Sequence, residues 1–178
     1  MRYIGIMVMA ASVICFGFFA AQKRKERLEM LCLFRQMICC LKTRILYSND
    51  TLPDALMEVG RTVLEQQDGA MKIPGELFVR IGMRLEQDRE LPASKIWIEE
   101  LSNEKGLAGV SKEDRKSLLE LGMSLGISNR LTQEQTIQFY LERTEDSIER
   151  LKTDVDARVK LYRSLGIAAG LFLTVCLI

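Results

Sequence analysis

From Thr132 to Ile178 the chain has no proline, and no glycine before Gly166. Within that stretch Ile137, Leu141, Thr144, Ile148, Leu151, Val155, Tyr162 and Leu165 recur at steps built from three and four, between Glu, Lys, Arg and Asp. This spacing draws one narrow seam along a helix. Thr132 and Gln135 have the spacing of a capping box, which predicts the helix start at Thr132. The pattern then passes without a break into an uncharged block from Leu165 to Ile178. One helix of roughly 70 Å is expected, leaving a charged domain and entering a bilayer. Any fold for this chain has to accommodate that rod.

The opposite end carries a matching block. Tyr3 to Ala21 is free of charge, about 19 residues and long enough to span a membrane. Gln22-Lys23-Arg24-Lys25-Glu26-Arg27 follows directly. A basic cluster after the apolar run, and Phe18-Phe19 where a cleavage site wants small residues, predict an uncleaved anchor rather than a signal peptide. Lys23, Arg24, Lys25 and Arg27 at one flank, and Arg158, Lys160 and Arg163 at the other, put the middle of the chain in the cytoplasm. The expected order is a transmembrane helix at 1–21, a cytoplasmic helical domain at 22–163 and a second membrane segment at 164–178. The second block is short, roughly 21 Å as a helix. Spanning would need Arg163 to snorkel and the bilayer to thin; a re-entrant or buried tail is the alternative. Gly166 and Gly170 form a small-xxx-small pair suited to helix packing within the membrane.

The middle reads as helices throughout. The first cytoplasmic helix is expected from Lys23 to Tyr47, with Leu28, Leu31, Phe34, Met37, Ile38, Leu41 and Ile45 inward. Thr51-Leu52-Pro53-Asp54 opens a second, with Thr51 as cap and Pro53 in the first turn. Pro74 starts a third, carrying Leu77, Phe78, Ile81 and Leu85. Leu91-Pro92 starts a short fourth with Ile96, Trp97 and Leu101. Ser111 to Asp114 caps a fifth, with Leu118, Leu119, Leu121 and Leu125. Together with the long rod, this makes an all-α, six-helix bundle. The two Leu-Pro helix starts form a faint echo that a doubled hairpin or chance would both produce.

Catalytic chemistry has little to stand on. The chain has no histidine, which removes the commonest general base and metal ligand. There is no phosphate-binding glycine loop and no nucleophile elbow. Carboxylate pairs such as Glu99-Glu100 and Glu145-Asp146 sit in charged helical faces rather than apolar clefts. The five cysteines include no CxxC; Cys32, Cys39 and Cys40 lie in a helical pattern and are expected to be reduced packing residues. A net charge of +1 argues against nucleic acid as a partner. No enzyme, cofactor or metal is expected.

The last singular stretch is the corner before the rod. Leu121-Gly122-x-x-Leu125-Gly126-x-x-Asn129-Arg130-x-x-Gln133 places two glycines four apart, then helix-capping residue types. Glycine at such sites allows helices to approach closely or ends one in a left-handed turn, and Asn129 and Thr132 would cap the next start. Arg130 and Gln133 need no core role in this reading and are free to face a partner. An ordinary structural corner is the competing reading.

That stretch resembles the stage III sporulation protein AB family of endospore-forming bacteria. The N-terminal block with its basic run, Thr51-Leu52-Pro53-Asp54-Ala55-Leu56, the central Ile96-Trp97 and the closing Tyr162-Arg163-Ser164-Leu165-Gly166 fit in the same order. Asn129 departs from the family, which tends to be acidic there. The resemblance implies a membrane component of the channel between mother cell and forespore during engulfment. It also implies a cytoplasmic domain similar to the type II secretion F proteins. The implied partners are a cytoplasmic secretion-type ATPase, other membrane subunits of the channel and membrane lipid. Gly122, Gly126, Asn129, Arg130 and Gln133 are the candidate ATPase contact. From the residues alone, a membrane-anchored signalling adaptor or receptor is equally compatible.

Overall fold

A computed structural model describes residues 2–48, 50–107, 110–125 and 130–177. Side chains are described within 22–125 and 131–157 of these stretches, and at Leu161. Among the described residues there are six α-helices and no strand: α1 Arg2–Thr43, α2 Leu52–Gln66, α3 Ile73–Gln87, α4 Ala93–Asn103, α5 Lys112–Ser124 and α6 Arg130–Leu177. The all-α class expected from the periodicity is what is observed.

The chain divides into two compact units. One joins residues 1–28 to 148–178; in it Arg24 Nη1 lies 2.6 Å from Asp154 Oδ2, and Leu151 is buried. Among the described residues no helix is long and apolar enough to cross a membrane. The apolar blocks at 1–21 and 164–178 lie in α1 and α6, with side chains outside those described. The other unit, Glu29–Ser147, holds the helical core.

Each helix start in this second unit has a local cause. Thr51 Oγ1 accepts the Asp54 N–H at the head of α2, with Pro53 in the first turn. Gly69, at φ +57°, makes the left-handed turn that leads through a short 3₁₀ segment, Gly69–Lys72, into α3. Pro92 is the residue before α4, whereas Pro53 lies inside α2, so the two Leu-Pro starts are not equivalent. At α5, Ser111 Oγ accepts the Asp114 N–H at 3.1 Å and donates to the Asp114 carboxylate at 2.6 Å. The head of α6 departs from expectation. The helix begins at Arg130, so Thr132 is already inside it, and its carbonyl accepts the Thr136 hydroxyl at 3.0 Å. A residue with helical backbone is not an N-cap.

The core forms where the apolar seams meet. Phe34, Ile38 and Leu41 of α1 join Leu56, Val59 and Val63 of α2, with Leu77, Phe78 and Ile81 of α3. Ile96, Trp97 and Leu101 of α4, Leu118 and Leu121 of α5, and Ile137 and Tyr140 of α6 complete it. Burying each of the large side chains is worth about 1.5–3 kcal/mol against solvent exposure.

α2 and α3 pack most intimately, and glycines set their separation. A Cβ built on Gly60 would lie 2.6 Å from the Gly75 carbonyl oxygen, and one on Gly75 would lie 2.8 Å from the Gly60 carbonyl oxygen. At Gly82 it would meet Met57 Cγ at 2.6 Å and the Pro53 oxygen at 2.9 Å. Only hydrogen fits at these crossings.

α1 ends differently from expectation. Its regular helix stops at Thr43 and a π-helical turn, Arg44–Ser48, follows. Arg44 reaches Asp50 at 3.2 Å and Glu58 at 3.4 Å from there. The cysteines also correct the sequence reading: Cys32, Cys39 and Cys40 are reduced but exposed, because they fall off the Leu31–Phe34–Ile38–Leu41 seam. They do not pack the core.

Candidate partner interface

The predicted corner is partly a packing device. Gly122 lies inside α5, in its last turn. A Cβ there would lie 1.9 Å from Trp97 Cδ1 and 2.1 Å from Cγ. The missing side chain is the space into which the indole of α4 fits. Trp97 is 2% exposed, donates from Nε1 to the Leu118 carbonyl at 2.9 Å, and meets Phe78 with ring centroids 5.6 Å apart at 60°. Of the two roles a glycine offers here, Gly122 serves close approach.

Gln133 also has an internal task. Its Nε2 donates to the Leu125 carbonyl at 2.8 Å, tying the first turn of α6 to the end of α5. Leu125 ends α5 with right-handed backbone, and Ser124 Oγ donates to the Leu121 carbonyl at 2.7 Å. These two bonds satisfy carbonyls that a helix end leaves open. The expectation that Gln133 needs no structural role is therefore corrected. Gly126 and Asn129 lie outside the described residues. Arg130 is the first residue of α6, with its side chain outside them. Gly166 and Gly170 lie in α6, and their surroundings are likewise outside.

A second feature went unread in the sequence. Arg80 and Arg84 of α3 grip α4: Arg80 Nε meets Glu100 Oε2 at 2.7 Å and Nη2 meets Glu104 Oε2 at 2.6 Å. Arg84 Nη1 meets Glu100 Oε1 at 2.7 Å and Nη2 meets Glu99 Oε2 at 3.0 Å. Burial works against ionisation of Glu100, but hydrogen bonds from Arg84 and Arg80 outweigh it and hold its pKa below the usual carboxylate range. Arg80, with the Gly106 N–H, holds Glu104 low as well. Arg115 of α5 then closes the end of α4, donating to the carbonyls of Leu101, Ser102 and Glu104.

Tyr140 and Thr144 of α6 and Asp114, Ser117 and Ser124 of α5 are all buried, and the Thr144 hydroxyl donates to the Tyr140 carbonyl at 2.8 Å. Burial pushes the Tyr140 phenol well above its ordinary range, against a hydrogen bond with Thr144 that lowers it, and nearby Asp114 adds to the rise. This tyrosine stays neutral.

The outer face of α6 is of another kind. Leu131 is 63% exposed and Phe139 62%, two turns apart on one side of the helix. They flank an open groove of about 500 Å³ whose other wall includes Lys42 of α1. The Lys42 ammonium is held across the groove by Gln138 Oε1 at 3.0 Å and Glu134 at 4.0 Å. Neighbouring charges are paired, Arg35 with Glu145 and Arg143 with Glu120. Neither Leu131 nor Phe139 lies on the heptad seam, and that offset was the one available signal in the sequence.

Comparison with known proteins agrees with this architecture. The chain is similar to stage III sporulation protein AB of Bacillus subtilis (strain 168), with 22% identity over 177 residues that cover 99% of each chain. A solved structure of a stage III sporulation protein AB superposes with a TM-score of 0.61 at 22% identity, over 74% of this chain and 97% of that one; at this identity the likeness speaks for the fold alone. The family model described as stage III sporulation protein AB matches residues 2–178. From the apolar N-terminal block to the last turn of α6, the chain belongs to the stage III sporulation protein AB family.

Proposed function

We propose that this protein is a non-enzymatic membrane platform of a secretion-like sporulation channel, which docks a cytoplasmic secretion-type ATPase during spore development. The observation that carries this reading is the family match across residues 2–178, which takes in both apolar blocks as well as the helical middle. Uncharged Tyr3–Ala21 and Leu165–Ile178 supply two anchors, and the basic residues beside each keep Glu29–Ser147 on the cytoplasmic side. The helical unit resembles, in this reading, the cytoplasmic domains of type II secretion F proteins. Its work is to hold partners: the ATPase, the other channel subunits and the surrounding lipid.

The test uses the full-length chain in detergent. A secretion-type ATPase encoded in the same gene neighbourhood should be retained on it in stoichiometric amount, and a reporter fused after Ile178 should read as non-cytoplasmic. Failure to retain the ATPase, with the chain folded by circular dichroism, overturns the docking role. A cytoplasmic reporter overturns the second anchor.

A further inference from the structure

The corner that the sequence singled out is turned inward where it is described: Gly122 receives Trp97 and Gln133 holds Leu125. The surface open to a partner is the outer face of α6. Leu131, Gln135, Phe139, Glu142 and Asp146 follow one another at helical spacing along one side, and all five are exposed. The stripe thus begins with two large apolar side chains and ends with two carboxylates. Among the described residues Glu142 and Asp146 form no ion pair, Glu142 accepting the Gln138 side-chain amide at 3.0 Å, although Glu145 beside them is paired with Arg35. Lys42, the cation across the groove, is already engaged by Glu134 and Gln138.

We propose that this face seats a basic amphipathic helix of a partner protein, its apolar residues on Leu131 and Phe139 and its Lys or Arg residues on Glu142 and Asp146. Two large apolar groups eight residues apart are separated by roughly 12 Å along the helix axis, about two turns, a span that successive apolar anchors of a docked helix also cover. The sign of the charge chooses among occupants. An anionic lipid surface has the same sign as the carboxylates, and a second copy of this chain presents those carboxylates again. A cationic helix is complementary, and complementarity of this kind sets orientation and association rate. The surface stands whether or not the partner is an ATPase.

The experiment places the full-length chain in nanodiscs of phosphatidylcholine. The probes are two labelled helical peptides of equal length, one of Leu and Lys and one of Leu and Glu, with Leu on one face. The Leu/Lys peptide should bind loaded discs more tightly than empty ones, and binding should weaken with added salt. Phe139→Ser should weaken it by about tenfold, as loss of a central aromatic anchor does. Glu142→Lys with Asp146→Lys should transfer the preference to the Leu/Glu peptide. These positions are exposed, and circular dichroism melts of the variants should match the parent. Equal binding to loaded and empty discs overturns the proposal, as does an unchanged preference in the double reversal. So does a Phe139→Ser effect confined to self-association in the ultracentrifuge, which would assign the face to a second copy.

Discussion

α3 is held on its two sides by opposite means. Toward α2 it presents Gly75 and Gly82, where an added Cβ would press on the Gly60 and Pro53 carbonyl oxygens. Toward α4 it presents Arg80 and Arg84, whose side chains are 43% and 29% exposed and reach Glu99, Glu100 and Glu104. The first contact has no slack, since carbonyl oxygens cannot step aside for a methyl group. The second has several pairings and flexible, partly exposed side chains. Number of contacts and energetic weight need not run together: a lattice of partly exposed ion pairs contributes little, whereas an overfilled crossing forces the helices apart.

The glycine side should give the largest effects. Gly122→Ala and Gly60→Ala should each lower the stability of the full-length protein by about 3 kcal/mol, with Gly122→Ala the more severe because a buried indole ring would have to leave its place. Thermal melts followed by circular dichroism check this. A loss below about 1 kcal/mol for both would mean that the helices shift apart cheaply, and the contrast would fail. An intermediate effect is expected where side chains close helix ends. Gln133→Ala and Arg115→Ala should each cost about 1 kcal/mol by leaving carbonyls of α5 or α4 without a donor. For Gln133 this separates the internal hydrogen bond from a partner contact, because a variant that loses partner binding at unchanged stability would reverse the assignment.

The smallest effect belongs to the arginine lattice. Arg80→Ala should cost less than about 1 kcal/mol and less still in high salt. Its pH dependence has a definite sign. The folded pKa values of Glu100 and Glu104 lie below their unfolded values, so their contribution is fully present above about pH 4.3 and fades as the pH falls through the folded values. Denaturant titrations of the parent and of Glu100→Gln should therefore differ at neutral pH and converge in acid. Divergence toward low pH would contradict the lattice.

The parts legible in the sequence were those that follow from one helix considered alone. The inward faces of α1 to α5, from Phe34 and Ile38 to Leu118 and Leu121, are periodic, and a period is a property of a single segment. The Thr51 and Ser111 caps were readable for the same reason. What depends on a second helix was not. Gly60, Gly75 and Gly82 carry no pattern until α2 lies against α3. Arg80 and Glu100 are ordinary charged surface residues until their helices meet. The cysteines were assigned by residue type rather than by seam position, and position prevailed. Thr132 was chosen by a motif, but helical backbone at Arg130 forestalled it. At the candidate site, the involvement of Gly122 and Gln133 was visible, while the inward direction of both was not, because direction is decided by Trp97 and Leu125.

Trp97 is the only tryptophan in the chain. Its indole sits where α3, α4 and α5 converge, shielded from water, with the N–H committed to a carbonyl and the Phe78 ring tilted beside it. The protein therefore carries a single indole fluorophore, placed at the junction of α3, α4 and α5. Its emission should be blue-shifted and poorly quenched by dissolved quenchers, and a loosening of α5 from α4 should move that light toward the red. Ultraviolet excitation of the unlabelled chain thus reports tertiary packing separately from helix content.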